Sequence, residues 1–93
     1  MNKKEKDHLN RVADIGCIVC RNMGFYGTPA EIHHIGNMTM AKKTSNFEVT
    51  PLCHTHHRTG NHGVAVHSGR KAFELNYGTE KELLEQVRCL LSD

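Results

Sequence analysis

Glu31-Ile32-His33-His34-Ile35, followed after a connection by Asn46-Phe47-Glu48-Val49-Thr50-Pro51-Leu52-Cys53-His54-Thr55-His56-His57, is the stretch on which the fold turns. Ala30 to Ile35 reads as a strand. Phe47 to Thr50 alternates and reads as a second strand, stopped by Pro51. A helix should begin near Leu52 or Cys53 and carry the next histidines as far as Gly60. Seven of the eight histidines lie between Glu31 and His67. Neutral imidazole is the commonest protein metal ligand, so histidine at this density points to metal.

Outward from this centre the pattern is helical. Lys4 to Ile15 places Leu9, Val12 and Ala13 on one face, and Gly16 sits where a helix C-terminal glycine belongs. Cys17-Ile18-Val19-Cys20-Arg21 is a short knuckle, and Asn22 to Pro29 is a glycine-punctuated loop. Gly36 to Ser45 lacks periodicity and reads as a flexible basic connection. Asn61 to Val66 is a loop. Ser68 to Tyr77 reads as a helix with Phe73 and Tyr77 one turn apart, Ala72 and Leu75 broadening its apolar side. Gly78 stops it. Thr79-x-x-Glu82 is a capping box opening a last helix, striped by Leu83, Leu84, Val87, Leu90 and Leu91. The expected fold class is α+β, in one domain over residues 1–93: an N-terminal helix 4–15, a zinc knuckle 17–20, a metal-bearing core 30–67 and C-terminal helices 68–92.

Composition narrows the function. Hydrophobic residues make up 38% of the 93, against about 45–50% in ordinary domains on a tally that includes glycine. So thin a core makes a metal staple plausible on stability grounds alone. No apolar run is long enough to span a bilayer. The charged start, Met1-Asn2-Lys3-Lys4-Glu5-Lys6-Asp7, lacks the following apolar stretch of a signal peptide, which points to the cytosol and to reduced cysteines. Net charge is only +2, unevenly spread: residues 1–70 hold nine Lys/Arg against five Asp/Glu, residues 71–93 three against five. The metal-bearing part is mildly basic, which suits a phosphate-facing site without establishing one.

The histidines and cysteines sort into two sites. A closed zinc site takes four ligands in a tetrahedron, and a tight turn lets residues i and i+3 converge on one ion. Cys17 with Cys20, and Cys53 with His56, give two such pairs separated by 32 residues. His54 competes as fourth ligand, at the wrong spacing. Cys89 stands alone in a helical pattern and reads as a packed or idle thiol. On a strand, His33 and His34 point to opposite faces, so both cannot aim at one ion without a bend. One should ligate metal while the other faces substrate as a base. His57, rotated about 100° from His56 on a helix, can serve a different ion. His67 can complete that second site, with His62 as a rival. An all-imidazole site favours a borderline or transition ion over magnesium.

In order, Cys-x2-Cys, His33-His34-Ile35, Asn46, then Pro51-Leu52-Cys53-x2-His56-His57 resembles the HNH nuclease superfamily with its ββα-metal (His-Me finger) motif. His34-Ile35-Gly36, Phe47-Glu48-Val49-x-Pro51-Leu52-Cys53 and Gly69-Arg70-Lys71-Ala72-Phe73-Glu74 resemble more closely the phage RecA-dependent nucleases of the recombination enhancement function family. The likeness covers roughly residues 8 to 88. It implies a small zinc-stapled ββα-metal domain with flanking helices, hydrolysing DNA phosphodiester bonds. It further implies a phage or prophage origin, a role in recombination and action on RecA-bound DNA. By this resemblance His34 is the general base, Asn46 a support residue, and His33, His57 and His67 hold the catalytic divalent ion (Zn2+, Mn2+, Ni2+ or Mg2+). Cys17, Cys20, Cys53 and His56 hold structural Zn2+. His67 departs from the family's usual shorter spacing between the last two ligands. Arg58, Arg70, Lys42 and Lys43 are candidate contacts to DNA phosphates. Two other readings remain open at this level. A non-catalytic zinc module recognising DNA or protein would leave His33, His34, His57 and His67 without work. A metal-dependent hydrolase of another substrate would need a pocket that nothing in the sequence supports.

Overall fold

The computed structural model describes residues 2–35 and 45–92. Helix α1 spans Lys3–Ile15 and opens with a reciprocal capping box. Asn2 accepts from the Glu5 N–H, while the Glu5 carboxylate accepts from the Asn2 N–H, which satisfies two of the amides a helix start leaves unpaired. Val12 is its buried anchor. The predicted knuckle is itself a short helix, α2, over Ile18–Asn22, capped by the Cys17 sulfur, which accepts from the Cys20 N–H.

Strands β1 (Glu31–His34) and β2 (Val49–Leu52) pair antiparallel, with Ile32 opposite Pro51 and His33 opposite Thr50. The second strand therefore starts two residues later than predicted and runs through Pro51 instead of stopping there. The ladder explains why. The Ile35 N–H donates to the Glu48 carbonyl, and hydrogen-bonded pairs alternate along an antiparallel ladder. Pro51 falls on a non-hydrogen-bonded pair, where its missing N–H forfeits nothing. His33 is buried, while His34, on the other face of the strand, is exposed.

A single turn of π-helix follows over Thr55–Thr59. The Gly60 N–H donates to the Thr55 carbonyl, five residues back. A Cβ on Gly60 would lie 2.5 Å from that carbonyl oxygen and 2.7 Å from Val64 Cγ1, so this turn closes only around glycine. A 3-10 turn at Val66–Ser68 leads to α3 (Arg70–Tyr77), which starts two residues later than predicted. Thr79 and Glu82 form the expected capping box at the start of α4 (Glu80–Leu91).

The core joins the four helices, β2 and the 3-10 turn, with Ile32 of β1 packed against it. Val12, Ile18, Val19, Val49, Leu52, Phe73, Leu83 and Val87 are buried together, with Cys17, Cys20 and Cys53 among them. Leu75 is 88% exposed and Leu90 is exposed too, so neither joins the apolar faces predicted for them. Helix α3 is only eight residues long and buries Phe73 alone, which leaves Leu75 on the far side. Among the described residues, no helix is long and apolar enough to cross a membrane.

Candidate metal centres

Two segments distant in sequence meet at the first cluster. Cys17 and Cys20 come from the α2 turn, Cys53 from the end of β2, and His56 from the π turn. Nδ1 of His56 lies 3.7 Å from the sulfurs of both Cys17 and Cys20 and 3.2 Å from that of Cys53; the Cys20 and Cys53 sulfurs are 3.9 Å apart. Bond lengths of about 2.3 Å to sulfur and 2.0 Å to nitrogen make the edges of a tetrahedral zinc site about 3.5–3.8 Å long. The donor set therefore fits one such ion as it stands, and the cluster can hold a metal. Burial pushes the Cys17 thiol up to about 12, and burial likewise lowers the His56 pKa, keeping its ring neutral with a lone pair to give. Tyr77 of α3 packs its ring against His56 at 5.1 Å. His54 turns away, its Nδ1 3.0 Å from the Thr59 hydroxyl. Cys89 is an exposed free thiol rather than a packed one.

The second cluster brings His33 of β1, His57 of the π turn and His67 of the 3-10 turn within ligand distance of one another, and it too can hold a metal. Ring centroids are 4.7–5.2 Å apart. The π turn is what divides the labour of neighbours, sending His56 to the thiols and His57 to the imidazoles. His57 Nδ1 donates to Glu31 at 2.8 Å, which leaves Nε2 for an ion, the arrangement common to metal-binding histidines. His33 Nε2 donates to Glu80 at 2.6 Å. Burial, then the neighbouring His57 and His33, lowers the His67 pKa. His62 is engaged elsewhere: its Nδ1 sits 3.0 Å from the Ser68 carbonyl, and its ring occupies the space a Cβ on Gly69 would need. The first cluster is closed and buried. The second is open, with His67 exposed to a cavity of about 420 Å3 that His33, His34, Arg70 and Glu80 also line.

His34 lies beside this opening on the other face of β1. Its Nε2 is 2.8 Å from Asn46 Oδ1, and Asn46 Nδ2 donates to Glu5 of α1 at 2.7 Å. Arg58 does not project freely, as a phosphate contact would. It forks onto Glu31 at 2.6, 2.9 and 3.2 Å, because Glu31 stands beside it on the neighbouring strand. Arg70 keeps a half-exposed side chain, with only loose approaches of 3.9 Å to Glu74 and 4.0 Å to Glu80. Lys42, Lys43 and most of the predicted connection lie outside the described residues.

With this geometry in view, the sequence matches the family described as recombination enhancement, RecA-dependent nuclease over residues 2–92. The chain belongs to the RecA-dependent nuclease family. No curated protein matches it. The family name carries nuclease activity in RecA-dependent recombination, and within the RecA-dependent nuclease chain three carboxylates had no assigned role in the sequence. Glu31 held a legible signal, since residues two apart on a strand share a face and it stands two before His33. Nothing local ties Glu5 or Glu80 to a histidine.

Proposed function

We propose that this RecA-dependent nuclease is an HNH-type, metal-dependent endonuclease hydrolysing DNA phosphodiester bonds. In this reading Cys17, Cys20, Cys53 and His56 hold structural zinc, while His33, His57 and His67 hold a catalytic divalent ion. The observation that carries it is the shared opening. His34, which belongs to neither cluster, lines the same cavity as His33 and His67. A phosphodiester seated there meets the ligand histidines on one side and an unligated imidazole on the other. The order β1, β2, helical turn, with His34 at the end of β1 and His57 in the turn, supports the ββα-metal assignment.

The chemistry divides among the residues. An ion held by His33, His57 and His67 would supply positive charge to the scissile phosphate and the leaving oxygen. His34 takes the proton of the attacking water, and Asn46 holds its ring. Arg70 borders the cavity and contacts a phosphate, with Lys42 and Lys43 as further contacts. Arg58 is held by Glu31 and would have to leave that pair to contact a phosphate. Three imidazoles with no carboxylate among them favour zinc or nickel over magnesium. We place the enzyme in the cytoplasm, where thiol ligands stay reduced. A phage or prophage origin, a RecA filament as partner and RecA-bound DNA as substrate rest on the family resemblance.

The test is cleavage of supercoiled plasmid and of a displacement loop, with and without RecA, under magnesium, manganese, nickel or zinc. Nicking or linearisation is expected. His34→Ala should lower the rate roughly 10²–10⁴-fold while calorimetry finds both ions still bound. Intact DNA under every ion, with and without RecA, overturns the nuclease reading in favour of a non-catalytic zinc module. Undiminished cleavage by His34→Ala removes His34 as the base.

A further inference from the structure

The base proposed above is one end of a chain of hydrogen bonds that begins outside the metal-bearing core. We infer that Glu5 of α1 is a positioning residue: it fixes the Asn46 amide and thereby holds His34 in the tautomer that leaves Nδ1 free to accept a proton. The inference rests on the general-base reading for its consequence in catalysis, but not for its geometry.

The donor and acceptor inventory permits one assignment. An ionised carboxylate only accepts hydrogen bonds, whereas an Asn amide has one accepting and one donating end that exchange by a flip. Glu5 Oε2 faces Asn46 at 2.7 Å, so the donating Nδ2 end must point to it. The accepting Oδ1 end then necessarily faces His34 Nε2, 2.8 Å away. Nε2 must carry the proton, and the lone pair falls to Nδ1. Were the amide flipped, Nε2 would have to accept and Nδ1 would hold the proton, leaving no base on the outer side of the ring.

Glu5 is itself held in place. Its other oxygen, Oε1, accepts the Asn2 N–H at 3.3 Å within the capping box, so both ends of the carboxylate are used. The Asn46 hydrogen bond, then the one from Asn2, lowers its pKa and keeps it in the ionised, accept-only form. One turn along α1, the His8 ring packs against Phe47 with centroids 5.1 Å apart, so the helix also contacts the residue following Asn46. Glu5 touches neither cavity nor cluster, and acts through Asn46 alone.

The experiment is a long-range nitrogen–proton correlation spectrum of the zinc-loaded full chain at a pH where His34 is neutral. Wild type should show His34 protonated at Nε2. Glu5→Gln keeps the capping box, since Gln serves there as well as Glu, but with its oxygen taken by the Asn2 N–H it turns its donating NH2 end to Asn46. It should reverse the Asn46 amide and shift His34 toward the Nδ1–H tautomer, with unchanged thermal melting and unchanged content of both metals. Glu5→Ala, which presents neither end, should give a mixture of tautomers. Plasmid cleavage should fall in proportion to the lost Nε2–H fraction, in kcat and not in KM. A wild-type tautomer in both variants, or Nδ1–H in wild type, overturns the proposal. Shifted tautomers with undiminished cleavage uphold the positioning role and instead defeat the assignment of His34 as base.

Discussion

Glu31 serves two neighbours at once. Arg58 and then His57 hold its carboxylate down to about 2, so it stays an ionised acceptor throughout the working range of the protein. Its hydrogen bond fixes His57 with the proton on Nδ1 and makes the opposite nitrogen the better ligand. Glu31→Gln should therefore weaken the second ion by about 10–100-fold, without changing the first, as read by chelator competition. Equal affinity would show that His57 needs no carboxylate behind it. At the first cluster the dominant fact is the Cys17 thiol, raised by burial to about 12. At neutral pH it is protonated in the metal-free chain, and an ion must displace that proton. The sign follows: binding tightens as pH rises and weakens as pH falls, by about tenfold per pH unit for each proton displaced. Zinc competition between pH 6 and 8 measures the slope, and a flat line would exclude thiolate ligation by Cys17.

At the scale of elements, the π turn Thr55–Thr59 does most to organise the site. A single short element delivers His56 to one cluster and His57 to the other, and it closes over Gly60 with no room for a side chain. Gly60→Ala should cost about 1–3 kcal/mol as overpacking and should loosen both ions together, read as a lower melting temperature and reduced metal content. Loss of stability with both sites intact would mean that the turn is not what aligns them. The strand pair contributes by period. Alternation sends His33 and His34 to opposite faces of β1, so adjacent residues reach the same cavity, His33 within the imidazole cluster and His34 beside it.

For the whole molecule, the first cluster is as much core as ligand set. Cys17, Cys20 and Cys53 lie among Val12, Ile18, Leu52 and Phe73, and His56 packs on Tyr77. An ion held there would join α2, β2 and the π turn where apolar area is scarce. Structural zinc binding contributes folding free energy on the order of 10 kcal/mol in small metal domains. Cys53→Ser, or removal of the tightly held ion by a strong chelator, should unfold the chain cooperatively, seen as loss of far-ultraviolet circular dichroism. Native-like melting of Cys53→Ser would refute a stapling role. Dialysis should leave about one ion per chain.

The sequence by itself determined what depends on local spacing. The i and i+3 pairs at Cys17/Cys20 and Cys53/His56, the alternation at His33 and His34, and the capping box at Thr79 and Glu82 are short-range geometry, and each was legible before any fold was known. The strand end at Pro51 was misread because a proline's cost depends on which ladder position it takes, and only the partner strand sets that. Leu75 was misplaced because an apolar residue on a helix finds the core only if a neighbour covers that side. The choice of His67 over His62 at the second cluster was also tertiary. It turned on a loop path that packs His62 against Gly69 and on a 3-10 turn that brings His67 beside His33 and His57. Glu5 and Glu80 carry no local mark of their partners, Asn46 and His33, which lie 41 and 47 residues away in the chain. Spacing along a chain can bring together ligands one turn apart, but a carboxylate from a distant helix meets its histidine only when the core has packed and fixed where that helix begins.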